Sequence, residues 1–335
     1  YSLLASAAPR FKRSDWTWII SGEKSGQRPA APPSRFYPWA GHLISRNGWN
    51  RKAHWSFFDV GPWGISHQHN DKLHLSIHAF GRDLLTDSGR FGYQGEIGER
   101  FLRSYARHSR AHNVMLIDGA GQQDCKPETG SPHTDYEIAA DYDFAFGTYR
   151  PDPSKKPVQT VQHSRAVIYL RDRGWIVIDH LEGKGLHRIE PLWHFHPDCT
   201  VVVQDDSTAT ADPGKGNLHI RPVGRVRWKV ELVRGQENPV QQGWYSERYG
   251  SFEPATCAVY KDNIRDSATF GWIITPGKGH PAPLEIEWVK APAGVAHLKT
   301  SEDRNIWVIM DKAELPFKFP SGRKLDRRFF IEKTH

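Results

Sequence analysis

The sequence predicts an all-β protein, built as a large antiparallel two-sheet β-sandwich. From about residue 40 onward, short runs rich in β-branched and aromatic residues alternate with turn residues, with little helical periodicity between them. Many strands without intervening helices are typical of an antiparallel sandwich with large sheets. Only 38% of the 335 residues are hydrophobic, but 13 Trp, 11 Tyr and 16 Phe supply enough apolar bulk for a core.

Residues 1–38 are predicted to be distinct from the sandwich. Residues 1–20 mix apolar and basic side chains, which indicates one or two short helical turns interrupted at Pro9. Residues 21–38 are rich in Gly, Pro, Ser and charge, as a linker or exposed loop would be. The sandwich is therefore expected to span residues 39–335.

Sixteen strands are predicted along the rest of the chain. They are 42–46, 54–60, 73–80, 83–87, 113–118, 144–149, 164–170, 174–181, 190–196, 200–205, 217–223, 228–233, 255–260, 268–275, 284–289 and 305–311. In the strand at 73–80, two-residue alternation places Leu75 and Ile77 on an apolar face, and His74 and His78 towards solvent or a polar layer. Asp179 is expected to end its strand.

The charge balance favours an anionic partner. With 45 Lys and Arg against 38 Asp and Glu, the formal net charge is +7. These basic residues are spread along the chain and form no blocks, so an acidic polysaccharide is favoured over nucleic acid or a membrane surface. No run of about 18 apolar residues predicts a transmembrane helix. The three cysteines are far apart and form no CxxC pair, which argues against a zinc knuckle or a disulfide framework.

The densest chemistry lies around a histidine pair just before the strand at 73–80. His67 and His69 form an HxH pair whose rings would face the same way in an extended chain, an arrangement suited to a metal or to proton transfer. Asp87 ends the next predicted strand and His112 begins a later one. Two histidines and one aspartate suit zinc. A plain hairpin would not bring His69 opposite Asp87, so the loop at 67–70 has to fold back.

Two blocks of this sequence, and two further blocks that support them, resemble a known family. The blocks are HQHNDKLHLSIHAFGRDLLTDSG (67–89), YARHSRAHNVMLIDGAGQ (105–122), RGWIVIDHLEGKGLHRIEPLWHFHP (173–197) and GWYSERYGSFEPA (243–255). They resemble the C-terminal β-sandwich region of the heparinase II/III-like polysaccharide lyases. The opening YSLLASAAPRF resembles the last helix of that family's N-terminal α/α toroid. Residues 1–38 are thus expected to be a remnant of the helical domain plus a linker, and the rest of the toroid is an expected partner.

The resemblance implies a metal and a cleft. It assigns His69, Asp87 and His112 to one zinc ion with a structural role, or to another divalent metal. It places His67 and Tyr93 among the catalytic groups, while the family's principal catalytic tyrosine belongs to the toroid.

Further residues are expected to bind substrate. Tyr105 matches the tyrosine that precedes the AHN motif of the family. Asn70 and Arg110 are suited to carboxylate or sulfate, and Trp244 and Tyr249 to stacking on sugar rings. An ordinary turn for Asn70, a solvated surface for Arg110 and plain packing for the aromatic residues are the competing interpretations.

The implied reaction is β-elimination on a uronic-acid-containing polysaccharide of glycosaminoglycan or alginate type. A base removes the C5 proton, a donor stabilises the neighbouring carboxylate, and an acid protonates the leaving oxygen. The alternative is a non-catalytic carbohydrate-binding β-sandwich module, whereas a zinc hydrolase is disfavoured because no HExxH motif is present. A periplasmic or secreted location is expected, with any signal outside this sequence. The sequence does not decide between a monomer and a homodimer.

Overall fold

The prediction of an all-β, antiparallel fold is confirmed. The computed structural model describes residues 2–64, 67–92, 103–124, 132–156, 158–224, 227–319, 322 and 324–333. Every pairing between strands of these residues is antiparallel. Two short helices precede the strands, α1 (Ser2–Arg10) and α2 (Ser14–Ile20). No helix in these ranges is both long and apolar enough to cross a membrane.

The strands form three main sheets. The five-stranded sheet holds β1 (Arg35–Tyr37), β2 (His42–Arg46), β3 (Trp55–Asp59), β4 (Leu75–Ala79) and β5 (Arg82–Leu85) in sequence order. The ten-stranded sheet holds β6 (Met115–Ile117), β7 (Tyr136–Ile138), β8 (Tyr142–Tyr149), β9 (Gln162–Leu170), β10 (Gly174–His194), β11 (Val201–Gln204), β12 (Ser207–Thr210), β13 (Gly216–Val223), β14 (Lys229–Arg234) and β17 (Thr256–Lys278). The four-stranded sheet holds β18 (Ile286–Val289), β19 (Val295–Thr300), β20 (Arg304–Ile309) and β23 (Phe329–Lys333).

Two small hairpins and two helical turns complete the elements. The hairpins pair β15 (Trp244–Tyr245) with β16 (Glu253–Pro254), and β21 (Phe317–Lys318) with β22 (Lys324–Leu325). Turns of 3-10 helix lie at Ser109–Ala111 and Lys312–Glu314, and a helical segment occupies residues 103–107.

The ten-stranded sheet is buried on both faces, which adds a third layer to the predicted sandwich. On one face, Trp175 and Val177 of β10 belong to a core shared with Leu75 of β4. On the other face, Ile176 packs in a second core with Leu298 of the four-stranded sheet. Successive side chains of a strand point to opposite faces, so a strand buried on both faces has an unbroken apolar run such as WIVI.

Two long strands replace four predicted short ones. β10 spans the predicted strands 174–181 and 190–196, and β17 spans 255–260 and 268–275. Their pairing continues through the polar middle, with one register shift between Glu182 and Leu186. These two strands form the backbone of the central layer, and β10 also carries the buried polar residues Asp179 and His194.

The predicted boundary at residues 38/39 falls inside the sheet region. β1 begins at Arg35 and pairs with β2, so the five-stranded sheet already includes the end of the segment predicted to be a linker. The helical turns expected before Ile20 are present as α1 and α2, and α1 contains Pro9 near its end.

Candidate metal site and cleft

Three side chains far apart in sequence converge at one end of the five-stranded sheet. His69, Asp87 and His112 each offer a ligand atom, and these atoms lie within 4.8 Å of one another. Nδ1 of His112 is 2.8 Å from Oδ2 of Asp87, and the rings of His69 and His112 are 5.3 Å apart between centroids. The structure thus brings together the set that the sequence singled out.

The loop before β4 folds back, as the sequence required. The hairpin of β4 and β5 turns at Gly81, whose φ of +83° favours glycine. Asp87 follows β5, while the chain before β4 reverses through Leu73, at φ +76°, and a hydrogen bond from His74 N to Asp71 O. This reversal carries His69 back towards Asp87.

The end of β5 is fixed to the central layer. Thr86 N donates a hydrogen bond to His194 O, and Leu85 forms a bridge with Phe195 just beyond β10. Asp87 Oδ1 accepts a hydrogen bond from Gly89 N at 2.7 Å. The carboxylate therefore points at His112 from a rigid turn.

Burial and neighbouring charges shift the pKa values of His69, Asp87 and His112 in different directions. Burial, helped by the nearby His112, lowers the pKa of His69, which favours the neutral ring. Burial would raise the pKa of Asp87 and lower that of His112, but their mutual attraction and hydrogen bond prevail. The pKa of Asp87 therefore lies below its usual range, and the pKa of His112 lies above its own. Metal binding to His112 would release its proton, since a ligand imidazole is neutral.

The residues present fit a metal ion. Within the described ranges, Nε2 of the fully buried His112 makes no hydrogen bond of ordinary length and angle, although the ring also interacts with the backbone of Ala106. A buried nitrogen without a partner carries a desolvation penalty that coordination would relieve. Two imidazoles and one carboxylate also match the donors that zinc accepts.

A buried polar layer surrounds His112. Asn113 N donates to Nδ1 of His74 at 3.0 Å, and its side-chain amide donates to Leu75 O at 2.8 Å. Asn113 Oδ1 accepts from His194 N at 2.6 Å. Of the two places expected for His74, solvent or a polar layer, the structure shows the polar layer, where its side chain is 2% exposed. Burial lowers the pKa of His74 to about 4.

A buried ion pair lies beneath this layer. Arg165 Nε donates to Asp179 Oδ1 at 2.7 Å, and Arg165 Nη1 donates to Leu73 O at 2.9 Å and to Asn113 O at 2.7 Å. The expectation that Asp179 ends a strand is wrong, since it lies inside β10 and is completely buried. It also bonds to His163 and accepts from Trp272 Nε1. One guanidinium thus holds carbonyl oxygens beside His74 and His112.

The two histidines of the HxH pair lie in different environments. His67 has φ +57° and is exposed, whereas His69 is partly buried beside His112. The pair is therefore not the extended dipeptide that the sequence suggested, because a left-handed residue precedes Gln68. His67 is left accessible to a ligand in solution.

The predicted substrate residues divide into accessible and enclosed side chains. Tyr249 is 57% exposed, with the Arg90 guanidinium 5.4 Å from its ring centroid. Asn70 is partly buried and lines an open pocket of polar side chains. Arg110 is partly buried, and its Nη2 donates to Gly119 O at 2.9 Å. Trp244 is half-buried, with Nε1 donating to Gln236 O.

Tyr105 is placed for packing and not for substrate contact. It is 2% exposed and packs with Phe91 and Ala111. Burial raises the pKa of its hydroxyl above its usual range, and that oxygen accepts from Trp244 N at 3.5 Å. Tyr93, the other predicted tyrosine, lies outside the described residues.

The residues that support the site have little signal in the sequence. Asn113 directly follows His112, but a polar residue at the start of a strand has no distinctive pattern. Arg165 and Asp179 stand in different apolar runs, and only their pairing across β9 and β10 brings them together. An ionisable residue inside an unbroken apolar run is the one signal that could have identified them.

Comparisons with known proteins agree on one family. A model described as "Heparinase II/III-like, C-terminal" matches residues 29–289. A heparin-sulfate lyase of Pedobacter heparinus is 23% identical over 248 residues, covering 73% of this chain and 35% of that protein. A heparin-sulfate lyase of Bacteroides stercoris is 23% identical over 197 residues, covering 56% of this chain and 28% of that protein.

Solved structures show the same fold. The heparan sulfate lyase HepC from Pedobacter heparinus superposes with a TM-score of 0.74 at 19% identity, covering all of this chain and 48% of that one. A heparinase III structure superposes with a TM-score of 0.70 at 16% identity, covering 99% and 48%. The chain thus spans about a third of these curated relatives and about half of the solved chains.

Proposed function

The chain belongs to the heparinase II/III-like family through its C-terminal domain, and we propose that it supplies the metal-bearing half of a polysaccharide lyase active site. The observation that carries this proposal is the convergence of His69, Asp87 and His112 beside the exposed His67. The proposed substrate is a uronic-acid-containing glycosaminoglycan, because the curated relatives are named heparin-sulfate lyases. An alginate-type uronan is the alternative.

The chemistry assigns a role to the exposed histidine. The C5 proton of a uronate is acidic only because it lies α to a carboxylate, and its removal adds charge to that group. Histidine can remove such a proton, or return one to the leaving O4, near neutral pH. We assign this transfer to His67, and we propose Tyr93 as its catalytic partner. Hydrogen-bond donors near the carboxylate would stabilise the developing charge, and Asn70 is the proposed donor on the same loop.

The proposed metal ligands are His69, Asp87 and His112. Zinc bound there would cross-link the folded-back loop to the end of β5 and to the segment before β6. Its contribution is therefore structural: it would keep His67 at a fixed place while leaving it accessible. The ring of Tyr249 and the half-buried Trp244 are proposed to pack against sugar units.

The location of the activity follows from the size of the substrate. A polysaccharide does not enter the cytoplasm unaided, so we propose that the protein acts in the periplasm or outside the cell. The net charge of +7 supports attraction of an anionic chain.

The test is an activity assay on the full-length protein. The protein is incubated separately with heparan sulfate, chondroitin, hyaluronan and alginate. We expect one of them to yield an unsaturated uronate, which is measured by its ultraviolet absorbance. His67→Ala is expected to lower kcat by at least about a hundredfold, the usual scale of general acid–base catalysis.

Two outcomes would decide against the proposal. Absence of the unsaturated product on all four polymers would remove the lyase function. Binding of a polymer without cleavage would instead identify the chain as a non-catalytic carbohydrate-binding module. His280→Ala provides a matched control, since that histidine is exposed like His67, lies just beyond β17 and has no assigned role.

A further inference from the structure

A pocket of about 430 Å³ opens next to the loop that carries the histidine pair. It is lined by Asn70, Arg103, Ser104, Arg107, His108 and Asp124. Its volume lies within the range of about 300–1,000 Å³ that small-molecule sites occupy. Its lining is rich in hydrogen-bond donors and includes two guanidinium groups against a single carboxylate.

The helical segment 103–107 presents both arginines to this pocket. Arg103 and Arg107 are four residues apart, so their side chains lie on the same face of the helix. Arg107 Nε donates to Gln68 O at 3.2 Å, and within the described residues its terminal NH₂ groups make no recorded hydrogen bond. A guanidinium anchored at Nε keeps its terminal groups available to chelate an oxyanion.

Asn70 is fixed to this helix through its backbone. Its N–H donates to Arg107 O at 2.9 Å, and its carbonyl accepts from Ser109 Oγ. Within the described ranges, its side-chain amide makes no hydrogen bond, so its NH₂ group at the edge of the pocket stays available for the carboxylate of the reacting unit. These bonds also fix the distance between the pocket and His69, one residue away.

His108 adds a further donor. Its Nδ1 accepts a hydrogen bond from Arg110 N at 3.1 Å, which places the ring proton on Nε2. Burial, helped by the positive charges of Arg110 and His112, lowers the pKa of His108 to about 4, so the ring is a neutral donor at neutral pH.

We propose that this pocket binds a sulfate or carboxylate group on a sugar unit next to the one that loses its proton. The inference rests on the proposed lyase function and goes further by naming a recognition site for a second acidic group of the chain. Arg103, Arg107 and His108 supply the donors, and a tetrahedral sulfate or planar carboxylate supplies the acceptors. Because Asn70 lies in the catalytic loop, occupation of the pocket would also align the polymer with His67.

The experiment measures binding and turnover separately in the full-length protein. Arg107→Gln and Arg103→Gln are compared with Arg265→Gln, a matched loss of charge on the exposed middle of β17. Size-defined heparan sulfate oligosaccharides and their chemically desulfated counterparts are titrated calorimetrically, and KM is measured on the same polymers. Each pocket variant is expected to raise Kd and KM about tenfold, the scale of one lost charge-assisted hydrogen bond.

The two ligands give different outcomes. A loss of affinity confined to the sulfated oligosaccharide identifies sulfate as the bound group. An equal loss of affinity for the sulfated and desulfated oligosaccharides identifies carboxylate. If the pocket variants have the same Kd and KM as Arg265→Gln on every oligosaccharide, the proposed pocket is contradicted, even if the protein remains an active lyase. If the variants weaken binding but the protein cleaves no polymer, the pocket is supported and only the proposed lyase function is contradicted. Melting temperature and zinc content exclude misfolding as the cause, and the two arginines serve as independent tests.

Discussion

His112 is the residue on which the candidate site depends. It is fully buried, its Nδ1 bonds to Asp87, and its Nε2 makes no hydrogen bond of ordinary length and angle among the described residues. An isolated buried imidazolium would be costly, but the carboxylate of Asp87 stabilises it without metal. If zinc binds as proposed, the His112 ring would lose its proton, because a ligand imidazole is neutral.

The first prediction separates the two histidines of the HxH pair. His69→Ala is expected to remove at least nine-tenths of bound zinc, because one of only three protein ligands is lost. His67→Ala is the control two residues away, and it is expected to retain zinc and to lose turnover. Elemental analysis of purified protein, together with the activity assay, measures both.

If His67→Ala loses zinc and His69→Ala retains it, the two histidines have exchanged roles. Full zinc retention in both His69→Ala and Asp87→Ala would exclude this ligand set. Because His67 is exposed, its replacement leaves no cavity in the core, and a change in zinc content could not be attributed to unfolding.

Among the elements, β9 and β10 connect the core to the site. Their pairing places Arg165 opposite Asp179, and the guanidinium continues to the carbonyl oxygens of Leu73 and Asn113. Arg165 of β9 has its counter-charge on the neighbouring strand β10, and its guanidinium can therefore hold two loop segments that belong to other elements. This explains why ionisable residues occur within an otherwise apolar layer.

The second prediction concerns this buried pair. Asp179→Asn is expected to lower the free energy of unfolding by about 3–5 kcal/mol, because Arg165 would remain buried without its counter-charge. Asp303→Asn is the control, since it breaks an exposed ion pair with Lys299 whose loss costs at most about 1 kcal/mol. Denaturant unfolding measures both.

The pair also has a functional readout. If Arg165 positions the residues around His112, Asp179→Asn should weaken zinc binding at temperatures where the variant is still folded. Equal stability of the two variants would show that the buried pair contributes no more than a surface one.

At the scale of the whole molecule, burial of several neutral histidines makes the fold sensitive to acid. Burial lowers the pKa of His194 to about 3, and burial lowers the pKa of His163 despite its bond to Asp179. In the unfolded chain both groups titrate near about 6.5. Below that pH the unfolded state binds protons that the folded state excludes, so stability falls as the pH falls.

The third prediction is an acid-induced loss of stability. Between pH 6.5 and about 4, His194 is expected to lower the free energy of unfolding by up to about 1.4 kcal/mol per pH unit, and His163 acts in the same direction. Below about pH 4, Asp179 adds to the loss, because its folded pKa lies below its unfolded value. Urea unfolding across this pH range, with a chelator present throughout, measures how steeply the free energy of unfolding changes with pH.

Salt provides the control for this slope. Repulsion from the net charge of +7 is screened at high ionic strength, whereas protonation of buried rings is not. A slope that disappears in high salt, or a stability that stays constant from pH 7 to pH 4.5, would contradict the prediction.

The sequence predicted the bounds of β2 more accurately than those of the two longest strands. β2 begins and ends at the predicted residues, His42 and Arg46. β10 and β17 were each divided in two, because their middle segments are polar and solvent-exposed while the ladder between them continues. Backbone pairing between distant segments is invisible to local composition, which also explains missed strands such as β1, β7, β12, β19 and β23.

What the sequence determined by itself is the β class, the family and the three candidate ligands His69, Asp87 and His112. Alternation, turn residues and motif blocks are local properties, and they are present in the chain before it folds. Only the tertiary structure decided that His74 and Tyr105 are buried, that Arg165 and Asp179 support the site, and that Arg107 and Asn70 share a pocket. These facts depend on which face a strand buries and which carbonyl a distant side chain reaches, and such contacts exist only after the layers pack.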